Sequence, residues 1–218
     1  MIERTIILAA GGTGGHIFPA QALAECLLNE GWTVLLVTDQ RGCAFSNEFP
    51  EEVKKVVLKI SNPSGGGKLT IIRSLWSLVL SLFTILRLCL RVKATVLVGF
   101  GGYPSATSMI VARLLRIPSV IHEQNAILGT VNRIFQKQVK LLVFGIKPKH
   151  VPEINGLMLV LGNPIRRSVS RTNPAKYSKL PTESLLILVL GGSQGANFVS
   201  SIACDAILSL PEEIKERW

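Results

Sequence analysis

Short, wholly apolar runs alternate along the chain with longer stretches of helical composition. The runs are rich in Ile, Leu and Val and occupy residues 5–10, 33–38, 95–98, 119–121, 140–144, 157–161 and 185–190. Unbroken apolar runs of this length are typical of strands buried on both faces, as in parallel sheets. The segments between them, such as residues 19–30, have the composition and length of helices. This order predicts an α/β fold built on a parallel, doubly wound sheet.

Glycine-bearing loops directly follow four of the predicted strands. They are Gly11-Gly-Thr-Gly-Gly-His16, Gly99-Phe-Gly-Gly-Tyr-Pro-Ser105, Gly162-Asn-Pro-Ile-Arg166 and Gly191-Gly-Ser-Gln-Gly-Ala196. Any one of them alone is best explained as a tight turn between a strand and a helix. Four in this order lie at the carboxyl edge of the sheet, where ligands of such folds bind. Backbone N–H groups in glycine loops approach phosphates closely, so the sequence predicts a phosphate-bearing ligand.

The glycine loops also suggest how the chain divides into domains. The strands that end at Ala10 and Leu190 each lead into a fresh Gly-Gly pair, which indicates that a second Rossmann-like unit begins near residue 165. Residues 163–181, which are rich in proline and basic residues, are the expected linker. We therefore expect an N-terminal domain over residues 1–162, and the linker plus the incomplete start of a second domain over residues 163–218. One strand and one helix after the linker are far fewer than a domain of about 150 residues requires.

Positive charge is concentrated in the middle of the chain. The formal net charge is +10, and residues 69–179 contain sixteen Lys and Arg against two acidic residues. Such a region attracts anionic lipid, nucleic acid or a phosphorylated substrate, and charge alone does not distinguish them. Four widely spaced cysteines without a CxxC pair are typical of a reduced, cytoplasmic chain. Three isolated histidines provide no metal cage, so no metal is expected.

Residues 69–90 are strongly apolar but are interrupted by Arg73 and Arg87, with 13 uncharged residues between them. A transmembrane helix needs about 20 apolar residues, so this segment is too short to cross a bilayer by that count. As a helix it has two apolar stripes, and one of them is enough for docking on a domain. The other consists of Ile72, Trp76, Val79 and Phe83. With its basic flanks it predicts peripheral binding to an anionic membrane; the alternative is a helix buried on both sides.

The dinucleotide-binding fingerprint GxGxxG is the nearest competing motif. Gly12-Thr-Gly14 begins it, but Ile17 occupies the position of the third glycine. Asp39 follows the second strand, where an acid that binds a ribose would lie, so an NAD-dependent oxidoreductase remains an alternative. None of the loops ends in the Gly-Lys-Ser/Thr of a Walker A motif.

Five motifs in order resemble the signatures of the MurG family of glycosyltransferases: Gly11-Gly-Thr-Gly-Gly-His-Ile-Phe-Pro19, Gly101-Gly-Tyr-Pro-Ser105, His122-Glu-Gln-Asn125, Gly162-Asn-Pro-Ile-Arg166 and Gly191-Gly-Ser-Gln-Gly-Ala196. The resemblance implies a GT-B architecture of two facing Rossmann-like domains. It implies inverting transfer of N-acetylglucosamine from UDP-GlcNAc to the 4-hydroxyl of the muramyl sugar of lipid I, an undecaprenyl-linked acceptor, giving lipid II for peptidoglycan. No cofactor and no nucleic acid are expected, and the location is the cytoplasmic face of the bacterial inner membrane. The family's second domain continues beyond Trp218, so we expect an incomplete donor site; a non-catalytic membrane-docking module is a further alternative.

His16 is the first candidate for the catalytic base, because it lies where a glycine loop becomes a helix and has an ordinary pKa suited to neutral pH. A histidine that only packs against or caps the helix end is the alternative. Glu123 is the second candidate, as one of two acids in the basic middle region; a charge partner for Arg or Lys is the alternative. The resemblance assigns UDP-GlcNAc to Thr13, Gly14, Gly15, Asn125, Arg166 and Ser193. It assigns the acceptor pyrophosphate to Gly101, Gly102, Tyr103 and Ser105.

Overall fold

Seven parallel strands form one sheet in the order β3-β2-β1-β4-β5-β6-β7. The computed structural model describes residues 4–59, 68–172, 188–191 and 196–215. Two units are present, Met1–Ser170, which contains the whole sheet, and Arg171–Trp218. The strands are β1 (Thr5–Ala10), β2 (Thr33–Asp39), β3 (Lys54–Leu58), β4 (Val96–Gly101), β5 (Ser119–Glu123), β6 (Leu141–Phe144) and β7 (Leu157–Val160). The predicted Rossmann-like parallel sheet is confirmed.

Helices cover both faces of the sheet; five of them lie between strands in the chain, and the sixth follows the last strand. They are α1 (Gly14–Asn29), α2 (Gln40–Ala44), α3 (Lys68–Val92), α4 (Gly102–Leu114), α5 (Thr130–Phe135) and α6 (Arg167–Ser170). Six of the strands coincide closely with apolar runs of the sequence, whereas β3 was not predicted. Its sequence, Lys54-Lys-Val-Val-Leu58, has two exposed lysines, because the strand lies at the edge of the sheet.

Alternate residues of each inner strand enter different hydrophobic cores. On β1, Ile7 and Ala9 belong to one core, whereas Ile6 and Leu8 belong to the other. Successive side chains of a strand point to opposite faces, so burial on both faces requires an unbroken apolar run. The first core also contains residues of α3 and α4, and the second contains residues of α1.

The strand order reverses between β1 and β4, which are neighbours although they are not consecutive in the chain. Ligands of open parallel sheets bind at the carboxyl ends of strands on either side of such a reversal. β1 ends at the first glycine loop and β4 ends at Gly101. The fold therefore brings these two loops together at the expected ligand edge.

α3 is partly docked and partly exposed. Ser81, Ile85 and Cys89 are buried, while Trp76 and Phe83 are 64% and 60% exposed. Within the described residues, Ile72–Val92 is the one helix that is long and apolar enough to cross a membrane by length and composition. This differs from the sequence expectation, which counted only the uncharged run between Arg73 and Arg87.

The second unit contains α7 (Ala196–Leu208) and α8 (Glu212–Lys215). The strand predicted at residues 185–190 lies partly outside the described residues, and residues 188–190 are not in a strand. The first unit ends at Ser170, and the domain boundary expected at residue 162 stays a prediction. Contacts of Arg166 and Arg167 with the first unit explain why it reaches Ser170.

Candidate functional site

A cavity of about 380 Å³ opens at the carboxyl edge of the sheet, beside the ends of β4 and β5. Its walls combine residues of the first two glycine loops with the loop and helix that follow β5. The lining residues are His16, Gly101, Gly102, Tyr103, Glu123, Asn125, Gly129, Thr130, Val131 and Asn132. Six of these residues were predicted from the sequence. We refer to this cavity as the acceptor cavity, after the acceptor contacts that the sequence analysis expects at Gly101, Gly102 and Tyr103.

The ring of His16 is oriented by a backbone carbonyl. Its Nδ1 lies 2.7 Å from the carbonyl oxygen of Gly11. A carbonyl oxygen only accepts hydrogen bonds, so Nδ1 carries the proton and donates it. In the neutral ring Nε2 is then unprotonated. The fold thus provides a histidine nitrogen with a lone pair, which is what a general base requires.

Gly101 and Gly102 make room for the histidine and for the first loop. Both have positive φ, at 112° and 80°, which favours glycine. A Cβ at Gly101 would lie 2.9 Å from His16 Nε2, and one at Gly102 would lie 2.9 Å from the carbonyl oxygen of Gly11. The glycines of this motif therefore permit the close approach of the two loops that form the cavity.

Tyr103 and Ser105 follow these glycines in the first turn of α4, but they differ in accessibility. Tyr103 is exposed and lines the acceptor cavity. Ser105 is fully buried, and its Oγ would lie 2.3 Å from a Cβ at Gly99. Ser105 is not among the residues that line the cavity, and its assignment to the acceptor pyrophosphate stays a prediction. The buried Ser105 side chain explains the glycine at position 99, because an added Cβ there would collide with it.

Glu123 is 2% exposed and accepts hydrogen bonds on both carboxylate oxygens. Oε1 accepts from the backbone N–H and the side-chain amide of Asn125, both at 3.1 Å. Oε2 accepts from the N–H of Gly129 at 2.9 Å and from Nδ2 of Asn132 at 2.8 Å. Four donors already occupy the carboxylate, so the geometry favours a positioning role over the role of catalytic base.

The wall formed by residues 129–132 was not predicted. Asn132 is buried, and its Oδ1 has no hydrogen-bond partner among the described residues. The sequence offered only a weak signal here, since Gly129 lies six positions beyond the end of β5, whereas the first two glycine loops begin at the ends of their strands. Asn125, which was predicted, is exposed at this wall and is held by Glu123.

The first glycine loop is clamped by Asp39. Its Oδ1 accepts hydrogen bonds from the N–H groups of Gly12, at 3.0 Å, and Gly42, at 2.7 Å. Asp39 is buried and caps α2, so its carboxylate holds the loop instead of facing a ribose. Thr13 is the N-cap residue of α1 without a side-chain cap bond, and Gly14 and Gly15 form the first turn.

Arg166 is held against α1 and the loop before β3. Its guanidinium carbon lies 4.0 Å from the ring centroid of Phe18, and Nη1 forms an ion pair with Glu48. The Phe18 ring in turn packs over Gly14, whose added Cβ would lie 2.7 Å from it. One side chain therefore separates Arg166 from the first glycine loop.

The buried ring of His122 contacts neighbouring polar groups of the protein on both of its nitrogens. Its Nε2 lies 3.4 Å from the carbonyl oxygen of Gly162, and Gln124 Nε2 lies 3.3 Å from its Nδ1. Burial lowers the pKa of His122 below its ordinary value, against smaller opposing effects of the Gly162 bond and the Glu123 charge. The first residue of the His-Glu-Gln-Asn motif thus connects β5 to the start of the linker.

Two further predictions concern the fourth glycine loop, at residues 191–196, and metals. Ser193 lies outside the described residues. Within the part of the chain that the structure describes, no group of three or more His, Cys, Asp or Glu side chains is placed to hold a metal ion.

Residues 6–143 match the model of the glycosyltransferase family 28 N-terminal domain. This match spans the sheet from β1 to β6 and every wall of the acceptor cavity. The chain belongs to glycosyltransferase family 28. Within this family, it is similar to the UDP-N-acetylglucosamine–N-acetylmuramyl-(pentapeptide) pyrophosphoryl-undecaprenol N-acetylglucosamine transferase of Phenylobacterium zucineum, with 37% identity over 99% of the chain.

The enzyme of the same name from Agrobacterium fabrum is 38% identical over the whole chain. The crystal structure of Acinetobacter baumannii MurG is 28% identical over 95% of the chain, with a TM-score of 0.67. This family 28 chain spans 60% and 57% of the two curated relatives and 58% of the crystallised protein.

Proposed function

We propose that this family 28 chain provides the acceptor half of an N-acetylglucosaminyltransferase of peptidoglycan synthesis. The donor is UDP-GlcNAc, and the acceptor is the undecaprenyl-linked muramyl pentapeptide named in its relatives. The acceptor's 4-hydroxyl attacks the anomeric carbon, UDP leaves, and the configuration at that carbon inverts. The reaction needs a base for the hydroxyl proton and positive partners for the leaving pyrophosphate.

The observation that carries the proposal is the orientation of His16. Its Nδ1–H is bound to the Gly11 carbonyl, and the ring lines the acceptor cavity. The neutral ring then accepts the hydroxyl proton at Nε2 as the new glycosidic bond forms. General base catalysis of this kind contributes about 10²–10⁴-fold to a rate.

The N-termini of two helices are the proposed anion sites. At α4, the N–H groups that follow Gly101 face the acceptor pyrophosphate, with Tyr103 beside them. At α1, the first turn with Gly14 and Gly15 faces the donor, where the helix dipole favours negative charge. Thr13, Asn125 and Arg166 are the remaining donor contacts in our proposal, and Arg166 neutralises phosphate after leaving Glu48. Electrostatic stabilisation of developing charge in this way is often the main source of an enzyme's rate enhancement.

A membrane surface is the proposed location of the reaction, because the acceptor is lipid-linked. The exposed stripe Ile72, Trp76, Val79 and Phe83 is apolar, and Arg73 and Arg87 lie on the same helix. Burial of Ser81, Ile85 and Cys89 keeps the second half of α3 on the sheet. We therefore propose a peripheral helix that inserts shallowly at the cytoplasmic face, instead of one that crosses the bilayer.

The two alternatives make different demands on the chain. A dehydrogenase would use the carboxylate of Asp39 for a ribose, but that carboxylate is bound to Gly12 and Gly42. A non-catalytic docking module would need only the α3 surface. Membrane docking would not use the oriented ring of His16.

A chimera tests the function. Residues 1–170 of this chain are joined to the remaining C-terminal region of the Agrobacterium relative, and label transfer from UDP-GlcNAc to a lipid-linked muramyl pentapeptide is measured. We expect transfer, and we expect His16→Ala to lower turnover by about 10²-fold or more. Cys26→Ala, on the exposed face of the same helix, is the matched control and should retain turnover.

The outcomes separate the alternatives. Near-normal turnover of the His16→Ala chimera would exclude His16 as the base. A folded chimera that binds vesicles but transfers nothing would indicate the docking module. Stabilisation by NAD and not by UDP-GlcNAc, measured as a shift in melting temperature, would indicate the dehydrogenase.

A further inference from the structure

A second cavity of about 370 Å³ opens next to the acceptor cavity. Its walls come from the loop after β5, from α5 and from the loop after β6. Residues 126–128 and Arg133 line the second cavity, and residues 129–132 line the acceptor cavity. One continuous segment therefore separates the two. None of the sequence motifs pointed to the second cavity.

Hydrogen bonds fix the walls of the second cavity. The N–H of Lys149 donates to the carbonyl oxygen of Ala126 at 2.8 Å, which joins the two loops. Nη2 of Arg133 donates to the carbonyl oxygen of Leu128 at 3.0 Å. A guanidinium has five N–H donors, so Arg133 retains donors for a ligand while this bond holds it in place.

The second cavity suits an anion that also has apolar parts. Arg133 and His150 are its basic residues, and Ile127, Val151 and Pro152 are among its apolar ones. Residues 124–153 contain five Lys and Arg but one acid, Glu153, and that acid is paired with Lys137. The local field therefore attracts negative charge. A guanidinium binds carboxylates with two parallel N–H bonds, which makes a carboxylate a well-matched partner.

The chemistry of the proposed acceptor supplies such a ligand at this place. In a muramyl sugar, the carbon next to the one that bears the 4-hydroxyl carries a lactyl ether, and the lactyl carboxyl acylates the N-terminus of the peptide. The peptide therefore starts beside the reacting hydroxyl, and its C-terminus is a free carboxylate. Helix α5, with six residues, is about 9 Å long. An extended pentapeptide reaches up to about 17 Å, enough to pass from one cavity to the other.

Resting on the proposed function, we propose that the second cavity binds the peptide of the muramyl acceptor. Arg133 and His150 contact peptide carboxylate, and the apolar wall contacts the peptide's side chains. The cavity then distinguishes acceptors that carry the complete peptide from those that lack it.

Two lipid-free probes test this proposal by calorimetry on the 218-residue chain. They are N-acetylmuramic acid 1-phosphate and the same compound with its pentapeptide. We expect the peptide to tighten binding about tenfold, and Arg133→Gln plus His150→Gln to abolish this gain without changing the affinity for the probe that lacks the peptide. An amidated peptide C-terminus should weaken binding to the wild-type chain. Lys54→Gln plus Lys140→Gln, at the opposite edge of the sheet, is the matched charge control and should retain the gain.

His150→Gln alone is the second variant, because its side chain is exposed and its removal leaves the Arg133 bond to Leu128 intact. Loss of part of the gain in that variant supports the proposal. If the first probe binds but the peptide adds no affinity, or if the double variant retains the gain, the second cavity is not the peptide site although the acceptor cavity stands. If neither probe binds, the proposed function fails and this inference fails with it.

Discussion

A single backbone carbonyl determines what His16 can do. The Gly11 oxygen fixes the proton on Nδ1, and Gly101 allows Nε2 to lie against the backbone of the second loop. A side chain at position 101 would displace the ring from the acceptor cavity. The two glycine loops thus determine the position of the histidine ring and which of its nitrogens carries the proton.

Glu123 should affect stability more than an exposed acid does. In Glu123→Gln, an amide NH₂ replaces one oxygen and faces donors that now have no acceptor. Hydrogen bonds to buried charged groups contribute about 1.5–3 kcal/mol each, so we expect the free energy of unfolding to fall by about 2–3 kcal/mol. Urea denaturation monitored by circular dichroism measures this change.

Glu153→Gln is the matched control for that substitution. Glu153 is exposed and pairs with Lys137 at the surface, so the urea midpoint of the Glu153→Gln variant should equal that of the wild type. If Glu123→Gln instead retains wild-type stability while the chimera loses transfer, Glu123 acts on the reaction directly. The base role would then return to this carboxylate.

Residue types in sequence order predicted which loops form the acceptor cavity, but not the role of each side chain. His16, Gly101 and Asn125 line one cavity, because a strand followed by a loop determines which edge of the sheet a residue occupies; their roles stay predictions. Burial of Ser105 beneath Gly99 and the four bonds to Glu123 depend on tertiary contacts that a local pattern does not contain. The same holds for Asn132, which reaches the cavity from α5.

At the level of elements, burial on both faces made most strands predictable. β1 and β2 are unbroken apolar runs because each face contacts helices. β3 was missed because its outer edge is exposed and its lysines mask the apolar residues. For α3, the two-stripe pattern indicated one docked face and one exposed face. Packing restricts the docked face to the second half of the helix, around Ile85.

The reactivity of the Cys89 thiol measures whether α3 stays packed on the sheet. Burial raises the pKa of its thiol to about 11 from 9.0. The thiolate is the reactive form, so at pH 8 it is about 100-fold scarcer than in an ordinary thiol. We expect iodoacetamide to modify exposed Cys26 within the time that leaves Cys89 unmodified, as measured by mass spectrometry of the native protein.

Ile85→Ala should remove this protection. The side chain is fully buried, and its truncation should cost about 2–5 kcal/mol of stability and expose Cys89 to the reagent. Leu90→Ala, at an exposed position of the same helix, is the control and should leave Cys89 protected. Equal modification of Cys89 and Cys26 in the wild-type protein would show that α3 is not docked in solution.

At the scale of the whole molecule, our proposal assigns acceptor binding and membrane binding to different surfaces of the first unit. The acceptor cavity lies at the carboxyl edge of the sheet, while α3 packs on one face together with α4. The lipid-linked acceptor of our proposal would need both surfaces, since its pyrophosphate would be bound while its undecaprenyl chain stays in the membrane. The concentration of Lys and Arg in residues 69–179 includes the helix and the loops around both cavities.

Peripheral binding through α3 predicts reversible, salt-dependent association with anionic vesicles. Each basic group near the surface adds about 1 kcal/mol of attraction, which salt screens. Trp76→Ser plus Phe83→Ser removes the two most bulky apolar side chains of the exposed stripe. We expect this double variant to lose most of its vesicle binding in a sedimentation assay while its melting temperature stays within a few degrees of the wild type.

The control is Ile146→Ser plus Ile165→Ser, which changes two apolar residues that are about as exposed but lie outside α3. This variant should bind vesicles like the wild type, because it leaves the exposed stripe of α3 intact. Weaker binding would show that surface hydrophobicity in general, and not that stripe, causes the association.

Extraction with alkaline carbonate distinguishes shallow insertion of Ile72–Val92 from a helix that crosses the bilayer. A peripheral protein is released, whereas a helix that crosses the bilayer keeps the chain in the pellet. Retention in the pellet after carbonate treatment would contradict shallow insertion. If the Trp76→Ser plus Phe83→Ser variant unfolds, the stripe packs in the protein interior and does not bind the membrane.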